Sequence, residues 1–173
     1  LAEYLAQAVL DSRPPAQRDF LLRSSVLDEF CADMCDVVLQ RQDSAAMIAE
    51  IVRANLFLSP IDPEQRWYRY HPLFADFLRG RLQREAKGDA QALHRRAAAW
   101  TADHGLMNEA VSHALAAQDQ TLAADLLAAS AMEEVRYGRV ADVTRAVELL
   151  PEAEICRRPA LLPADQFGDG IDL

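Results

Sequence analysis

Apolar residues recur at helical spacing along most of this chain, and one short segment departs from that pattern. In residues 55–71, aromatic and branched side chains lie on both sides of a turn that contains Pro60, Asp62 and Pro63. Because such side chains favour strands, and proline and aspartate favour turns, the segment predicts a β-hairpin. Alternation along its second arm places Trp67 and Arg69 on one face, and Tyr68 and Tyr70 on the other.

Three short helices are predicted ahead of the hairpin. Pro14 and Pro15 mark the first turn of one helix, because proline is tolerated there. A second helix covers 31–39, and Ser44 is expected to cap a third. The apolar stripes of the first and third helices are Phe20, Leu21, Ser24 and Leu27, and Met47, Ile48, Ile51 and Val52. Three helices followed by a hairpin is the element order of a winged-helix domain.

A longer helix is predicted directly after the hairpin. Pro72 stands at its first position, and the polar group 87–89 is expected to end it. One side of the helix is expected to be apolar and to consist of Leu73, Phe74, Phe77, Leu78 and Leu82. The outward side carries Arg79, Arg81 and Arg84.

From residue 91 onward, short helices alternate with breaks of one or two residues. The helices are expected at 93–103, 107–117, 122–129 and 140–149, with breaks at Gly105, Asp119 and Gly138. The small residues Ala98, Gly105, Ala110 and Ala117 have the spacing that tetratricopeptide-like helical hairpins use for close packing. The predicted fold class is therefore mainly α: a winged-helix domain of three helices and a β-hairpin, followed by antiparallel tetratricopeptide-like helical hairpins.

Composition and charge narrow the function classes. The 173 residues are 51% hydrophobic and 26% charged, as in globular proteins, and the net charge of −9 repels a nucleic-acid backbone. Residues 1–63 carry 5 basic and 10 acidic side chains, 64–88 carry 6 and 3, and 89–173 carry 7 and 14. The basic segment is the second hairpin arm and the helix after it. The third helix carries one basic residue, Arg53, and one acidic residue, Glu50. It therefore lacks the positive charge expected of a helix that reads DNA.

The sequence also predicts where the protein acts and what this part lacks. Three cysteines without a signal-peptide pattern favour a reducing, cytoplasmic location. No G-x-x-x-x-G-K-[ST] motif is present to cradle a nucleotide, so we expect no catalytic residue in this part. The chain begins at Leu1 inside an apolar helical run, so we expect it to be a piece of a longer protein. We expect no membrane contact.

Five segments, in this order, carry a family resemblance. They are 18–27 (RDFLLRSSVL), 54–58 (ANLFL), 67–78 (WYRYHPLFADFL), 93–96 (LHRR) and 109–117 (EAVSHALAA). From about residue 1 to residue 162, the chain resembles the MalT-type, LuxR-family ATP-dependent transcriptional activators, which belong to the STAND class of signal-transduction ATPases. In that family a P-loop domain precedes a winged-helix domain, a tetratricopeptide-like sensor superhelix and a C-terminal LuxR-type helix-turn-helix.

The resemblance implies a division of the chain and a set of partners. Residues 1–12 would be a linker helix from the preceding ATPase domain, 13–88 the winged-helix domain, 89–163 the start of the sensor region, and 164–173 a polar tail that departs from the family pattern. This part would bind no cofactor by itself, whereas the parent protein would bind ADP or ATP. Its partners would be the ATPase domain of the same polypeptide and an unknown small-molecule or protein inducer. DNA would be bound only through the C-terminal helix-turn-helix.

His71 is the sharpest candidate site residue. Within Tyr70-His71-Pro72 it looks like the histidine with which related STAND ATPases contact the β-phosphate of bound ADP. Pro72 at the first helical position places His71 at the N-cap, beside free backbone N–H groups and the positive end of a helix dipole. Plant resistance proteins have aspartate where this chain has Pro72, so the local geometry can differ. A structural role at a strand-to-helix junction is the alternative.

The other candidates are interpreted as packing or solvated residues. Arg79, Arg81 and Arg84 could meet acidic groups of the ATPase domain or a phosphate, but they are interpreted as a solvated helix face, because charges on the polar side of an amphipathic helix need no other reason. Cys31 and Cys35 are expected to fill the core, and Cys156 to be incidental.

His94, His104 and His113 lack the spacing of a zinc motif, so no metal site is expected. Trp67, Tyr68, Tyr70 and Trp100 are expected to pack the core and hairpin rather than stack on bases.

The predicted function is signal coupling in a transcriptional regulator, without catalysis in this part. The chain would link the nucleotide state of the ATPase domain to the inducer-sensing helical region. The alternative is a DNA-binding winged-helix protein with a helical protein-interaction domain. A metallo-hydrolase built on the histidines is a third possibility, which neither spacing nor charge supports.

Overall fold

The helices and strands follow the predicted order. The computed structural model describes residues 2–136 and 147–161. The elements are α1 (Ala2–Asp11), α2 (Pro15–Ser24), α3 (Ala32–Leu39), α4 (Ser44–Arg53), β1 (Leu58–Pro60), β2 (Tyr68–Tyr70), α5 (Pro72–Glu85), α6 (Lys87–Asp103), α7 (Met107–Ala116), α8 (Gln120–Arg136), α9 (Glu152–Cys156) and a 3₁₀ turn (Pro159–Leu161). The predicted fold class, mainly helical with one small antiparallel sheet, is confirmed.

The chain divides into two compact units, one ending at Trp100 and the other starting at Thr101. The division falls within α6. The boundaries expected from the sequence, after residues 12, 88 and 163, stay predictions.

The core of the first unit forms where α2 packs against α3, α4 and α5. Its largest fully buried side chains include Phe20, Leu21, Phe30, Ile51 and Leu78. Burial of each such side chain contributes about 1.5–3 kcal/mol, so this cluster accounts for much of the unit's stability. Helix α1 packs against α5 and inserts Leu10, which is fully buried.

The predicted hairpin is present, and a third segment extends it. Leu58 pairs with Tyr70, Ser59 with Arg69 and Pro60 with Tyr68 in an antiparallel register. On the other side of β2, the Phe30 and Tyr68 main chains exchange hydrogen bonds of 3.0 and 2.8 Å. Along β2 Arg69 is exposed and Tyr70 is buried, as the alternation predicts.

A buried polar contact joins β2 to α2. The Ser24 hydroxyl donates to the Phe20 carbonyl at 2.6 Å, and its oxygen lies 2.7 Å from the Tyr70 hydroxyl. The Tyr70 ring also packs against Phe30 and Phe74, with centroid distances of 5.1 and 6.0 Å. Burial raises the pKa of Tyr70 far above its ordinary value, so its hydroxyl stays neutral and remains available as a donor.

Two details of the first unit differ from the sequence predictions. Ser44 is not the cap of α4: Asp43 is the N-cap residue, and the Asp36 carboxylate accepts the Ser44 N–H at 3.0 Å. Leu73 is not in the core, because 64% of it is exposed. At Ser44 the deciding residue, Asp36, comes from another segment, which local spacing does not reveal.

The break between α5 and α6 is shorter than predicted. Helix α5 ends at Glu85 and α6 already begins at Lys87, so 87–89 opens a helix instead of ending one. Within the first unit, α6 is held by Arg96, whose Nε donates to the Val38 carbonyl at the end of α3 over 2.6 Å.

The second unit is built on the pairing of α7 with α8. Ala110 and Ala117 are fully buried, in keeping with close helix packing. Gly105 serves a different purpose: its φ of +75° is a left-handed turn, and no atom lies within 4 Å of the place a Cβ would occupy. The predicted helix 140–149 lies mostly outside the described residues, and the tail 164–173 lies entirely outside them.

Arg158 holds the C-terminal segment of the second unit against α8. Its Nε donates to Asp125 at 2.8 Å, and a second nitrogen donates to the Thr121 carbonyl at 3.2 Å. A third donates to the Glu154 carbonyl and carboxylate at 2.8 and 2.7 Å. These bonds raise the pKa of Arg158.

Among the described residues, no helix has both the length and the apolar composition needed to cross a membrane.

The Ser24–Tyr70 contact gives a stability prediction. Ser24→Ala leaves the buried Tyr70 hydroxyl without a partner, so it should lower the free energy of unfolding by about 1–3 kcal/mol. Tyr70→Phe leaves Ser24 bonded to Phe20 and should cost only about 0.5–1.5 kcal/mol. Urea denaturation measures both, with Ser59→Ala, at an exposed serine of β1, as the control. A larger loss for Tyr70→Phe than for Ser24→Ala would contradict this account.

Candidate functional site

His71 lies at the junction of β2 and α5, and its main chain is held on both sides. Its N–H donates to the Phe57 carbonyl at 2.8 Å. Its carbonyl accepts the N–H groups of Phe74 and Ala75 at 2.9 and 3.0 Å. His71 is the N-cap residue of α5 with Pro72 at the first helical position, as expected from the sequence.

The His71 imidazole is exposed and makes no capping hydrogen bond. The positive end of the α5 dipole, equivalent to roughly half a unit charge, lies beside it. Pro72 has no N–H, and the Phe74 and Ala75 N–H groups bond to the His71 carbonyl. The Leu73 N–H is therefore the backbone donor in this first turn that forms no helical hydrogen bond. This group, the dipole and the imidazole can together face an anion.

An apolar surface lies beside His71, which sequence reasoning missed. It consists of Phe57, 45% exposed, Leu73, 64% exposed, and the half-buried Phe77. We call these three residues the apolar patch. The rings of Phe57 and Phe77 both pack against the buried Phe74, at centroid distances of 5.1 and 6.4 Å.

The sequence does contain a signal for the patch. Apolar residues stand at positions 73, 74, 77 and 78, which is two adjacent helical stripes rather than one. The core takes Phe74 and Leu78, and the Leu73 and Phe77 stripe faces outward. Helix α5 is therefore apolar on two sides, although only one of them is buried inside the unit.

The three arginines of α5 have different roles. Arg79 donates to the Ser25 carbonyl at 2.7 Å and to Asp28 at 2.6 Å, across to the loop after α2. Arg81 donates to Gln7 of α1 at 2.6 Å and pairs with Glu85. Arg84 is exposed. The solvated face is therefore wrong for Arg79 and Arg81, which cross-link the unit.

The cysteines are free thiols. Cys35 is buried and Cys31 half-buried, and burial is the main cause of the raised pKa of both thiols. Cys156 is exposed. Within the described residues, no group of three or more histidine, cysteine or acidic side chains is arranged to hold a metal ion, and this includes His94, His104 and His113.

The aromatic residues of the hairpin are engaged in packing. Trp67 meets Trp100 edge-on at 6.2 Å, Tyr68 is half-buried and Tyr70 is buried. The Tyr70 ring is therefore not available for stacking, whereas Trp67 and Tyr68 also line an open pocket.

Helix α4 occupies the place of a DNA-reading helix, and its solvent face suits that role poorly. Ala45, Ala46, Ala49 and Glu50 are exposed on it, together with Arg53. Glu50 accepts a bond from Gln17 at 3.0 Å, and the Arg53 Nε donates to the Ala49 carbonyl of its own helix at 3.2 Å. Alanine offers no hydrogen bond to a base edge, so this face carries little capacity for direct readout.

Comparison with known proteins identifies relatives of nearly the whole chain. Residues 6–90 match the MalT winged helix domain family. The serine/threonine-protein kinase PknK of Mycobacterium tuberculosis is 35% identical over 159 residues, which is 92% of this chain and 14% of PknK. The HTH-type transcriptional regulator MalT of Klebsiella pneumoniae is 34% identical over 163 residues, which is 94% of this chain and 18% of that protein. The chain thus spans less than a fifth of the length of these relatives.

The α5 arginines give a second prediction. Arg79→Ala should lower the free energy of unfolding by about 1 kcal/mol, because its charge-assisted bonds are partly exposed to solvent. Arg84→Ala, on the same helix, is the matched control and should change stability by less than about 0.5 kcal/mol. Thermal or urea unfolding of both variants measures the difference. Equal effects would mean that the Arg79 bonds contribute nothing to stability.

Proposed function

Because residues 6–90 of this chain are a winged-helix domain of the MalT family, we propose that the chain is a regulatory module of a longer protein. In this proposal it links the nucleotide state of an ATPase domain in the same polypeptide to a signal sensed by the helical region that follows. The module performs no chemistry itself. Its parent binds ADP or ATP, acts in the cytoplasm and controls transcription through a separate helix-turn-helix.

One observation carries the proposal. Nearly the whole chain has counterparts in two proteins that differ in output, a protein kinase and a transcriptional regulator. Both relatives are more than five times longer than the shared region. A region shared by proteins with such different outputs is best explained by a common regulatory step, not by either output chemistry.

The geometry around His71 supplies a contact surface for such a step. We propose that in the resting state the His71 imidazole faces a phosphate of ADP held by the ATPase domain. The apolar patch would pack against the same domain and exclude water from the contact. Burial of a leucine such as Leu73 contributes about 1.5–3 kcal/mol, which shifts a two-state equilibrium roughly 10- to 100-fold. An inducer opens the contact only by binding the open state more tightly.

DNA binding by this winged helix is the alternative function. The acidic net charge and the alanine-rich face of α4 weigh against it. Gel shifts with mixed duplexes at low and moderate salt decide the matter, because phosphate-driven binding falls steeply with salt. A salt-dependent shift at low micromolar protein would favour DNA binding over regulatory coupling.

The patch gives a third prediction. In the longer polypeptide, Leu73→Ser should weaken the resting contact, so that ADP dissociates about 10-fold or more faster and basal transcription rises. His71→Ala should also release ADP faster. Val37→Ser is the matched control, because Val37 is a 52% exposed apolar residue on a different helix, α3. Unchanged ADP release and transcription in both Leu73→Ser and His71→Ala would overturn the proposal.

A fourth prediction concerns this chain alone. Since it contains no P-loop motif, it should bind ADP more weakly than a dissociation constant of about 1 µM, as titration calorimetry measures. Tighter binding would show that the nucleotide site lies within the chain itself and not mainly in the ATPase domain.

A further inference from the structure

Five residues other than glycine have positive φ angles in the described part of the chain. They are Gln40, Asn55, Phe57, Gln65 and Gln118. Gln40, Asn55 and Gln118 follow the ends of α3, α4 and α7, where left-handed residues commonly end helices, and Gln65 lies in the hairpin turn. Phe57 has neither explanation: it stands directly before β1 with a φ of +54°.

Packing does not explain this conformation of Phe57. Its ring lies against Phe74, but the residue is 45% exposed, so no deep pocket requires the left-handed conformation. A bulky residue at such a φ is a real outlier, and glycine or asparagine would adopt it more easily. Strain of this kind is concentrated at functional sites, where it fixes a neighbouring group.

The group that Phe57 fixes is His71. Leu58 pairs with Tyr70 in the hairpin. Phe57, which precedes Leu58, and His71, which follows Tyr70, therefore lie opposite each other. In the left-handed conformation the Phe57 carbonyl accepts the His71 N–H at 2.8 Å, while its ring lies against Phe74 at 5.1 Å. The His71 carbonyl is already bonded into the first turn of α5. Phe57 therefore supplies the second main-chain restraint on a residue whose imidazole is left exposed.

We propose that Phe57 is a positioning residue for His71: its left-handed turn anchors the His71 N–H and thereby holds the imidazole at the entrance of α5. This inference rests on the proposed function, in which His71 faces a nucleotide phosphate. Phe57 touches no nucleotide in this scheme. It acts through the backbone of His71.

Two substitutions separate the backbone role of Phe57 from the role of its ring. Phe57→Gly and Phe57→Val both remove the ring contact with Phe74, but only glycine adopts the left-handed conformation easily. In this chain alone, hydrogen exchange of the His71 amide reports its bond to the Phe57 carbonyl. We expect exchange within about threefold of the parent chain for Phe57→Gly, and at least about tenfold faster for Phe57→Val. The imidazole resonances of His71 should broaden or move only in Phe57→Val.

Equal His71 exchange in the glycine and valine variants would overturn the positioning role. If Phe57→Val does not fold, Phe57→Ala replaces it, because alanine also disfavours this φ without a branched Cβ. The alanine variant should then show faster His71 exchange than the glycine variant, and equal exchange would again overturn the role.

A second measurement tests the functional link. In the longer polypeptide, Phe57→Val should release ADP faster than Phe57→Gly does. Phe57→Val combined with His71→Ala should release it no faster than His71→Ala alone, because Phe57 acts through His71. Additive effects would mean that Phe57 acts through the apolar patch and not through His71. If His71→Ala leaves ADP release unchanged, the proposed contact of His71 with the phosphate fails, whereas the amide-exchange result still decides whether Phe57 positions His71.

Discussion

The buried contact between Ser24 and Tyr70 is the constraint on which the first unit depends. It ties β2 to α2, and the Tyr70 ring ties the same strand to Phe30 and to α5 through Phe74. His71 follows Tyr70 directly, so the place of its main chain is set by this packing. A hydroxyl pair in an apolar core admits few arrangements, because each oxygen must keep its partner. The position of the exposed His71 is therefore determined by the buried residue that precedes it.

Different sides of helix α5 contact different parts of the unit. One side enters the core through Phe74, Leu78 and Leu82. Arg79 and Arg81 reach the loop after α2 and helix α1, so charged side chains reinforce contacts that the core already makes with these two helices. The apolar patch occupies the remaining side. A displacement of α1 or α2 would thus act on the helix that begins at His71, as the proposed signal coupling requires.

The sequence allowed the element order to be predicted because its signals are local. Proline at a first helical turn, the turn residues of the hairpin and helical apolar spacing depend on neighbours within a few positions. The failures share the opposite property. The partners of Arg79 and Arg81, the capping of α4 by Asp36 and the exposure of Leu73 depend on which segments meet in space. The left-handed turn at Phe57 was equally out of reach, since a phenylalanine in a strand-like segment predicts an extended conformation.

The alanine face of α4 has a practical consequence. Ala45, Ala46 and Ala49 are exposed, and their short side chains take no part in the hydrogen bonds that hold the unit together, while the opposite face buries Met47, Ile48 and Ile51. A spectroscopic label introduced at Ala46 or Ala49 would replace an exposed side chain that makes no hydrogen bond in the unit. The surface that a DNA-reading relative would devote to bases is, in this chain, a neutral site from which the movement of the domain can be observed.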